Sequence, residues 1–361
     1  MVDILYCKFC IMAFIRYNNI GITAIAACVP SRVVSNYQLT DLMSEDNISR
    51  LVKSTGIEER RITDPGVTAS DLCCKAAEKL IQDNNIDRNS IDLLIFSTMS
   101  HDYYLPQTGP ILQDRLGLPH TTACVDMVYA CTSFIYALST AYAYVASTGI
   151  NRALVLVGET MSKVSNPRDK VNYPLYGDAG TAFLVEKGDF GESIFQLTSN
   201  GAGAKYVITP CRGFRNPLTV DSLIDKEYED GNIRKDVDVT MDGMETFNHA
   251  IYSIPKQVKN LMNEANISSE DIDYLVSHQA NKLMVEYIIK KTKVDISKVP
   301  FCLDKYGNTS GASIPLTIVS ELKDKLEGEK KLFFSAIGAG WSYGTAFIKT
   351  NNLKVSTIIE Y

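Results

Sequence analysis

Long apolar runs, an excess of positive charge, regular cysteine spacing and low-complexity tracts are all missing from this sequence. Its first fifteen residues are apolar, but Asp3 and Lys8 interrupt them and no small-residue cleavage site follows. They are too short to span a bilayer, so no membrane anchor or secretory leader is expected. A formal charge of −6 argues against a nucleic-acid binder, whose surface must neutralise phosphates. Nine cysteines scattered over 361 residues make no disulfide framework and point to a reducing cytoplasm. Cys7-x-x-Cys10 is the single metal-like spacing, and neither a second pair nor paired histidines accompany it. Met12 opens a segment that reads as a natural start, so residues 1–11 are expected to be an N-terminal extension outside the fold.

What is present begins with an internal duplication. Residues 80–95 read Leu80…Asn85-Ile86-x4-Ile91-Asp92-x-Leu94-Ile95, and residues 261–276 read Leu261…Asn266-Ile267-x4-Ile272-Asp273-x-Leu275-Val276, an offset of 181. Gly180-Thr-Ala-Phe-Leu184 returns as Gly344-Thr-Ala-Phe-Ile348, an offset of 164. The difference, 181 − 164 = 17, implies extra loop in the first half, which we associate with a segment around Tyr104-Leu105-Pro106. Leu93–Ser97, Ala153–Gly158 and Leu332–Ala336 are short apolar runs without alternation, as expected of strands covered on both faces. Helical stretches lie at 68–83, capped by Thr68 or Ser70, at 133–147 and at 311–325. Two similar halves of alternating strands and helices, 12–200 and 201–361, indicate a layered α/β protein, with the Gly-, Pro- and charge-rich residues 203–240 as their connection.

Chemistry concentrates in four segments. Asp126-Met-Val-Tyr-Ala-Cys131-Thr-Ser-Phe134 places a cysteine where a buried strand gives way to an apolar helix. Unpaired amides and the helix dipole at that position favour the nucleophilic thiolate. Ser277-His278-Gln279-Ala280-Asn281 follows the repeated strand directly, and Tyr306-Gly307-Asn308-Thr309-Ser310-Gly311 leads into a helix. Gly338-Ala339-Gly340-Trp341-Ser342-Tyr343-Gly344 could bring backbone N–H groups close to a reacting atom. Taken singly, each has a structural reading: a small buried cysteine, a core histidine, a turn before a capped helix.

In order and spacing, however, the Ala-Cys, His-Gln-Ala-Asn and Gly-Asn-Thr-Ser motifs resemble the β-ketoacyl-acyl-carrier-protein synthase III family, from about Met12 to Lys349. Ser54-Thr-Gly-Ile-Glu-Glu-Arg-Arg61 and Tyr176-Gly-Asp178 extend the likeness. The resemblance implies a thiolase-like fold of two duplicated βαβ-type halves in a five-layer αβαβα arrangement, without a cofactor. It implies an acyltransferase in which Cys131 carries the primer's acyl group, with the N–H groups of Cys131 and Gly340 as oxyanion hole. His278 and Asn308 would act on a malonyl thioester as it loses carbon dioxide, and helix position rather than His278 would activate Cys131. Phe247 falls where the family has a phenylalanine beside the cysteine. Implied partners are an acyl-carrier protein, an acyl-CoA or acyl-carrier-protein primer, a malonyl thioester and a second copy of the chain, whose active site Leu105 would reach.

The family's adenine clamp, a Trp and an Arg, corresponds to Arg50 and Lys163, and its carrier-docking Arg to Leu283. Lys282, Lys290 and Lys291 form a basic cluster nearby that suits an acidic carrier protein. Three other readings compete. The Cys…His…Asn order also fits papain-like proteases, but their cysteine context and the duplication argue against it. An HMG-CoA synthase-like enzyme or a non-decarboxylating acyltransferase is the runner-up within the fold. A non-catalytic binding module would have no reason to keep all three polar residues.

Overall fold

A computed structural model describes residues 13–147 and 149–361; residues 1–11 and the Cys7/Cys10 pair lie outside the described residues. Eight main strands order the chain: β1 (Phe14–Val29), β2 (Leu93–Ser97), β3 (Ala123–Met127), β4 (Arg152–Thr160), β5 (Asp178–Ser199), β6 (Tyr274–Ser277), β7 (Glu329–Gly338) and β8 (Ser342–Asn351). Seven main helices alternate with them: α1 (Glu45–Thr55), α2 (Ala69–Asp83), α3 (Thr108–Arg115), α4 (Ser133–Ala146), α5 (Gly243–Glu264), α6 (Lys282–Thr292) and α7 (Ser313–Glu321). The strands expected at 93–97, 153–158 and 332–336 and the helices at 68–83 and 133–147 fall within a few residues of those observed. Thr68 caps α2 through a reciprocal box with Asp71.

The duplication is visible in the pairing. In the first half, β1 and β5 run antiparallel, β5 and β4 antiparallel, β4 and β2 parallel, with β3 outermost. In the second half, β5 and β8 run antiparallel, β8 and β7 antiparallel, β7 and β6 parallel. The long β1 and β5 serve both sheets. Asp178–Glu186 pairs with β4, whereas Ile194–Ser199 pairs with β8. The halves therefore share a strand, and no linker separates their sheets.

Alternate side chains of each strand feed different layers, as the period of two requires. Leu94, Phe96, Leu154 and Leu156 pack outward with α2 residues Leu72, Ala76 and Leu80. Ile95, Val155 and Phe334 pack inward with Phe134 and Leu138 of α4 and Ile314 and Ile318 of α7. Leu275, Phe333 and Phe347 pack on the far side with Ile254, Val258 and Leu261 of α5 and with α6. The result is five layers, with α4 and α7 buried between the sheets. That central position explains why α4 and α7 carry almost no charge: most of each helix is buried, and α4 is exposed only near its C-terminal end, at Ala143, Tyr144 and Ala146.

The extra loop of the first half is not where the sequence suggested. Seventeen residues, 161–177, join β4 to β5, where three, 339–341, join β7 to β8. The segment around Leu105 precedes α3 and contributes nothing to the drift. What 161–177 does is wrap back to the end of the second half, where it meets Asn308.

Candidate active site

Three element junctions converge at one end of the central layer. Cys131 sits just after β3 and before Thr132, the residue preceding α4. Ser133 pins this junction, its N–H donating to the Ala130 carbonyl at 2.8 Å and its Oγ lying 2.6 Å from Ser97 Oγ. Asn308 is held by backbone: its N–H donates to Leu175 O at 2.8 Å, and the Gly177 N–H donates to its carbonyl at 3.1 Å. Gly307 makes that possible. At φ +65° a Cβ would lie 2.7 Å from Arg60 Cγ and 2.9 Å from Leu175 O. His278 follows β6, and its N–H donates to Ser335 O at 2.7 Å, one step beyond the ladder.

Ser310 links the three. Its Oγ lies 3.7 Å from Cys131 Sγ, its N–H donates to Asn308 Oδ1 at 2.9 Å, and its backbone hydrogen-bonds the His278 imidazole. With Oδ1 occupied, what Asn308 offers a substrate is its Nδ2 hydrogens. His278 Nδ1 is 2.7 Å from Ser313 Oγ. Both residues are nearly buried, at 5% and 7% exposure.

Burial decides the protonation states. Desolvation pushes the Cys131 thiol up to about 11 and the His278 imidazole down to about 4. The helix position expected to be the main thiolate stabiliser is therefore opposed by a larger desolvation. A helix terminus contributes at most about 2 kcal/mol, roughly 1.5 pKa units, too little to bring this thiol to neutrality. At pH 7 the resting pair is a thiol beside a neutral imidazole.

Two further residues take places that the motifs did not assign them, one inside the glycine segment and one outside every motif. Gly338, rather than Gly340, closes on the nucleophile: a Cβ there would lie 3.3 Å from the amide nitrogens of both Cys131 and Thr132. Gly340 takes φ +69° in open space. Glu159, fully buried at the end of β4, accepts from the Met99 N–H at 3.0 Å and from Ser100 Oγ at 2.7 Å, and burial pushes it up to about 7. It fixes the loop that leads to Leu105. Neither residue carries a sequence signal beyond the glycine spacing, because both roles arise from contacts made across the fold.

The expected substrate contacts are dispersed. Leu105 is 83% exposed beside Tyr103 and Tyr104. Phe247, on α5, is partly buried against the outer cluster that holds Leu275, Phe333 and Phe347. Lys163 Nζ is taken by the carbonyls of Pro65 and Val67, and no described cavity is lined by both Lys163 and Arg50 on α1. Lys282 lines a cleft with Lys53, Gly56 and Glu58, and faces Glu286 at 4.0 Å. Lys290 and Lys291 are exposed on the last turn of α6.

Comparison with known proteins adds an independent line. Residues 125–203 match the family model described as 3-oxoacyl-[acyl-carrier-protein (ACP)] synthase III, and residues 262–350 match the model of its C terminal part. A β-ketoacyl-[acyl-carrier-protein] synthase III of Rhodopirellula baltica is 33% identical, covering 92% of this chain and 99% of its own. One from Clostridium acetobutylicum is 34% identical over the same shares. The crystal structure of a 3-oxoacyl-(acyl-carrier protein) synthase from Burkholderia xenovorans superposes with a TM-score of 0.91 at 33% identity, covering 97% of this chain and 99% of that one.

Proposed function

The chain belongs to the 3-oxoacyl-[acyl-carrier-protein] synthase III family, and from that premise we propose that Cys131, His278 and Asn308 carry out the decarboxylative condensation of an acyl primer with malonyl-acyl-carrier protein in fatty-acid synthesis. The observation that carries this reading is the convergence of all three on Ser310. Cys131 Sγ attacks the primer's thioester carbonyl, the acyl group passes to sulfur, and the carrier thiol departs with the proton that Cys131 gave up. Amides of Cys131 and of the 338–340 turn, Gly340 included, receive the oxyanion, each donor being worth about 3–4 kcal/mol. The malonyl thioester then binds, its carbonyl oxygen against His278 Nε2 and Asn308 Nδ2. Carbon dioxide leaves, the enolate carbon attacks the acyl-Cys131 carbonyl, and the Cys131 sulfur is expelled and reprotonated. These steps are redox-neutral, and every group they use is supplied by the chain, its two thioesters and solvent protons. Incubation with a primer thioester and malonyl-acyl-carrier protein should yield carbon dioxide and β-ketoacyl product in equal amounts. Carbon dioxide without condensed product would contradict the assignment.

For the carrier, we read the exposed Lys282, Lys290 and Lys291 of α6 as a docking face for an acidic protein. The CoA anchors are weak by comparison, since Arg50 replaces a stacking ring and Lys163 is already occupied by two carbonyls. Carrier-bound primers should outperform the matching acyl-CoA in kcat/KM. Lys290→Glu with Lys291→Glu should lower the carrier-dependent rate about tenfold, as two rim charges of up to about 1 kcal/mol each allow. An equal fall with acyl-CoA would remove the docking role.

Among the described residues the strand β3 pairs only with β2, which leaves its other edge open. Tyr103, Tyr104 and Leu105, in the same half of the chain, are exposed. An open edge and exposed apolar side chains suit pairing with a second copy, and a homodimer is our reading. Light scattering at micromolar concentration should give twice the chain mass; a fully active monomer would refute it. No helix among the described residues is long and apolar enough to cross a membrane. The seven described cysteines are free, which supports a cytoplasmic setting; recovery in a membrane pellet after cell fractionation would contradict it.

A further inference from the structure

Trp341, the protein's single tryptophan, ends the turn that closes on Cys131. It takes φ +43°, directly after Gly340 at +69°. An L residue seldom adopts that conformation and keeps it only where surrounding structure holds it. Here two near-parallel rings stack on the indole. The His249 ring lies on one face at 3.6 Å between centroids and 2° between planes, and the Tyr206 ring lies 5.0 Å away at 16°. Gly203 makes the space, since a Cβ there would lie 2.0 Å from the indole. His249 is itself fixed from two sides: its Nε2 hydrogen-bonds the Tyr343 hydroxyl and lies 3.2 Å from Ser253 Oγ. The Trp341 carbonyl accepts from the Asn200 N–H at 3.0 Å. The turn's other side is tied to the nucleophile, with Ser342 Oγ 2.9 Å from the hydroxyl of Thr132 and Gly338 against the Cys131 amide.

We infer that His249 is a positioning residue for acyl transfer, holding the 338–341 turn over Cys131 by stacking on Trp341. His249 lies on α5, in the second half of the chain, and touches none of the reacting atoms. Its effect passes through the indole to a turn whose strained backbone would otherwise relax. Burial holds its pKa below the usual histidine value, so the ring that stacks at neutral pH is uncharged. The geometry asks for a flat ring at this position more than for a particular polar atom. This inference rests on the reading of Cys131 as acyl acceptor.

The test separates the oxyanion turn from thiol access. Acylation of Cys131 by an acyl thioester needs the turn's amides, whereas alkylation by iodoacetamide passes through no oxyanion. In His249→Ala, single-turnover acylation followed by intact mass should slow at least tenfold, with alkylation of Cys131 within about twofold of wild type. Tryptophan emission should shift as the indole loses its partner. His249→Phe, which restores a flat ring, should recover acylation to within about threefold. Tyr206→Ala, which removes the other stacked ring, gives a second route if the alanine variant fails to fold, with the same loss expected. Wild-type acylation rates in both alanine variants, parallel loss of alkylation, or no recovery in His249→Phe would each overturn the proposal. A wild-type chain that alkylates at Cys131 but never acylates would instead defeat the assignment of Cys131, a result visible without any His249 variant.

Discussion

Cys131→Ala should take up no acyl group from any thioester, while the wild-type chain gains one acyl mass, mapped to Cys131 and to no other cysteine. The selectivity does not come from a low resting pKa, since burial raises this thiol as it raises others. Cys28 and Cys302 are pushed up to about 12, and Cys73 well above its usual value. What distinguishes Cys131 is its setting. Cys28 lies inside β1, Cys73 inside α2, and Cys302 against Thr317 Oγ1 at 3.2 Å. Cys131 Sγ instead lies 3.7 Å from Ser310 Oγ, the residue that joins it to Asn308 and His278. Cys74 and Cys124, though partly exposed, are also raised by burial. Loss of the nucleophile removes the covalent route entirely, so the expected effect is abolition rather than attenuation. Peptide mapping after incubation with a labelled acyl thioester checks it. Labelling of Cys131→Ala to the wild-type extent would move the acyl site elsewhere.

The three catalytic candidates were legible in the sequence because each sits at a junction that local pattern marks: an apolar strand ending, a polar residue, then a helix or glycine turn. The halves were legible for a similar reason, since strand and helix periodicities repeat with the motifs. Properties set by distant contacts were not. Nothing in Ser97 or Ser133 announces the 2.6 Å pair that fixes the Cys131 junction. Arg60 reads as one more charged residue of a basic-acidic stretch. Yet it is fully buried, donating to Asn36 Oδ1 at 3.0 Å and to the Tyr173 carbonyl at 2.7 Å, beneath the loop that carries Asn308. The protonation states were misjudged on the same ground. A helix N-terminus can be read from sequence, but the desolvation that outweighs it depends on the second sheet and on α7 closing over the site.

Wild-type acylation of Cys131 should be nearly flat from about pH 5 to 9, whereas in His278→Ala it should climb about tenfold per pH unit. With the thiol at about 11 and the imidazole at about 4, one protonation form dominates between those limits. In it His278 is free to take the proton as sulfur attacks. The sign follows from the direction of the shift. A depressed imidazole pKa means the base is lost only as pH falls toward 4, so the wild-type rate drops there and holds above. Without His278 the reaction must draw on pre-formed thiolate, about one part in ten thousand at pH 7 for a thiol at about 11, rising tenfold with each unit. General-base assistance of this kind is worth about 100- to 10,000-fold near neutrality, so the deficit should be largest at the acid end of the flat range and shrink steadily toward pH 10. Asn308→Ala supplies the contrast. Its Nδ2 serves the malonyl oxygen, so acylation and its pH profile should persist while decarboxylation falls roughly 100- to 1,000-fold. Stopped-time intact-mass measurements of acylation across pH, beside carbon dioxide release, separate the two roles. A pH-independent loss in His278→Ala would assign the imidazole to the oxyanion alone. Equal loss of both steps in Asn308→Ala would show that the amide holds Ser310, and through it Cys131, in place.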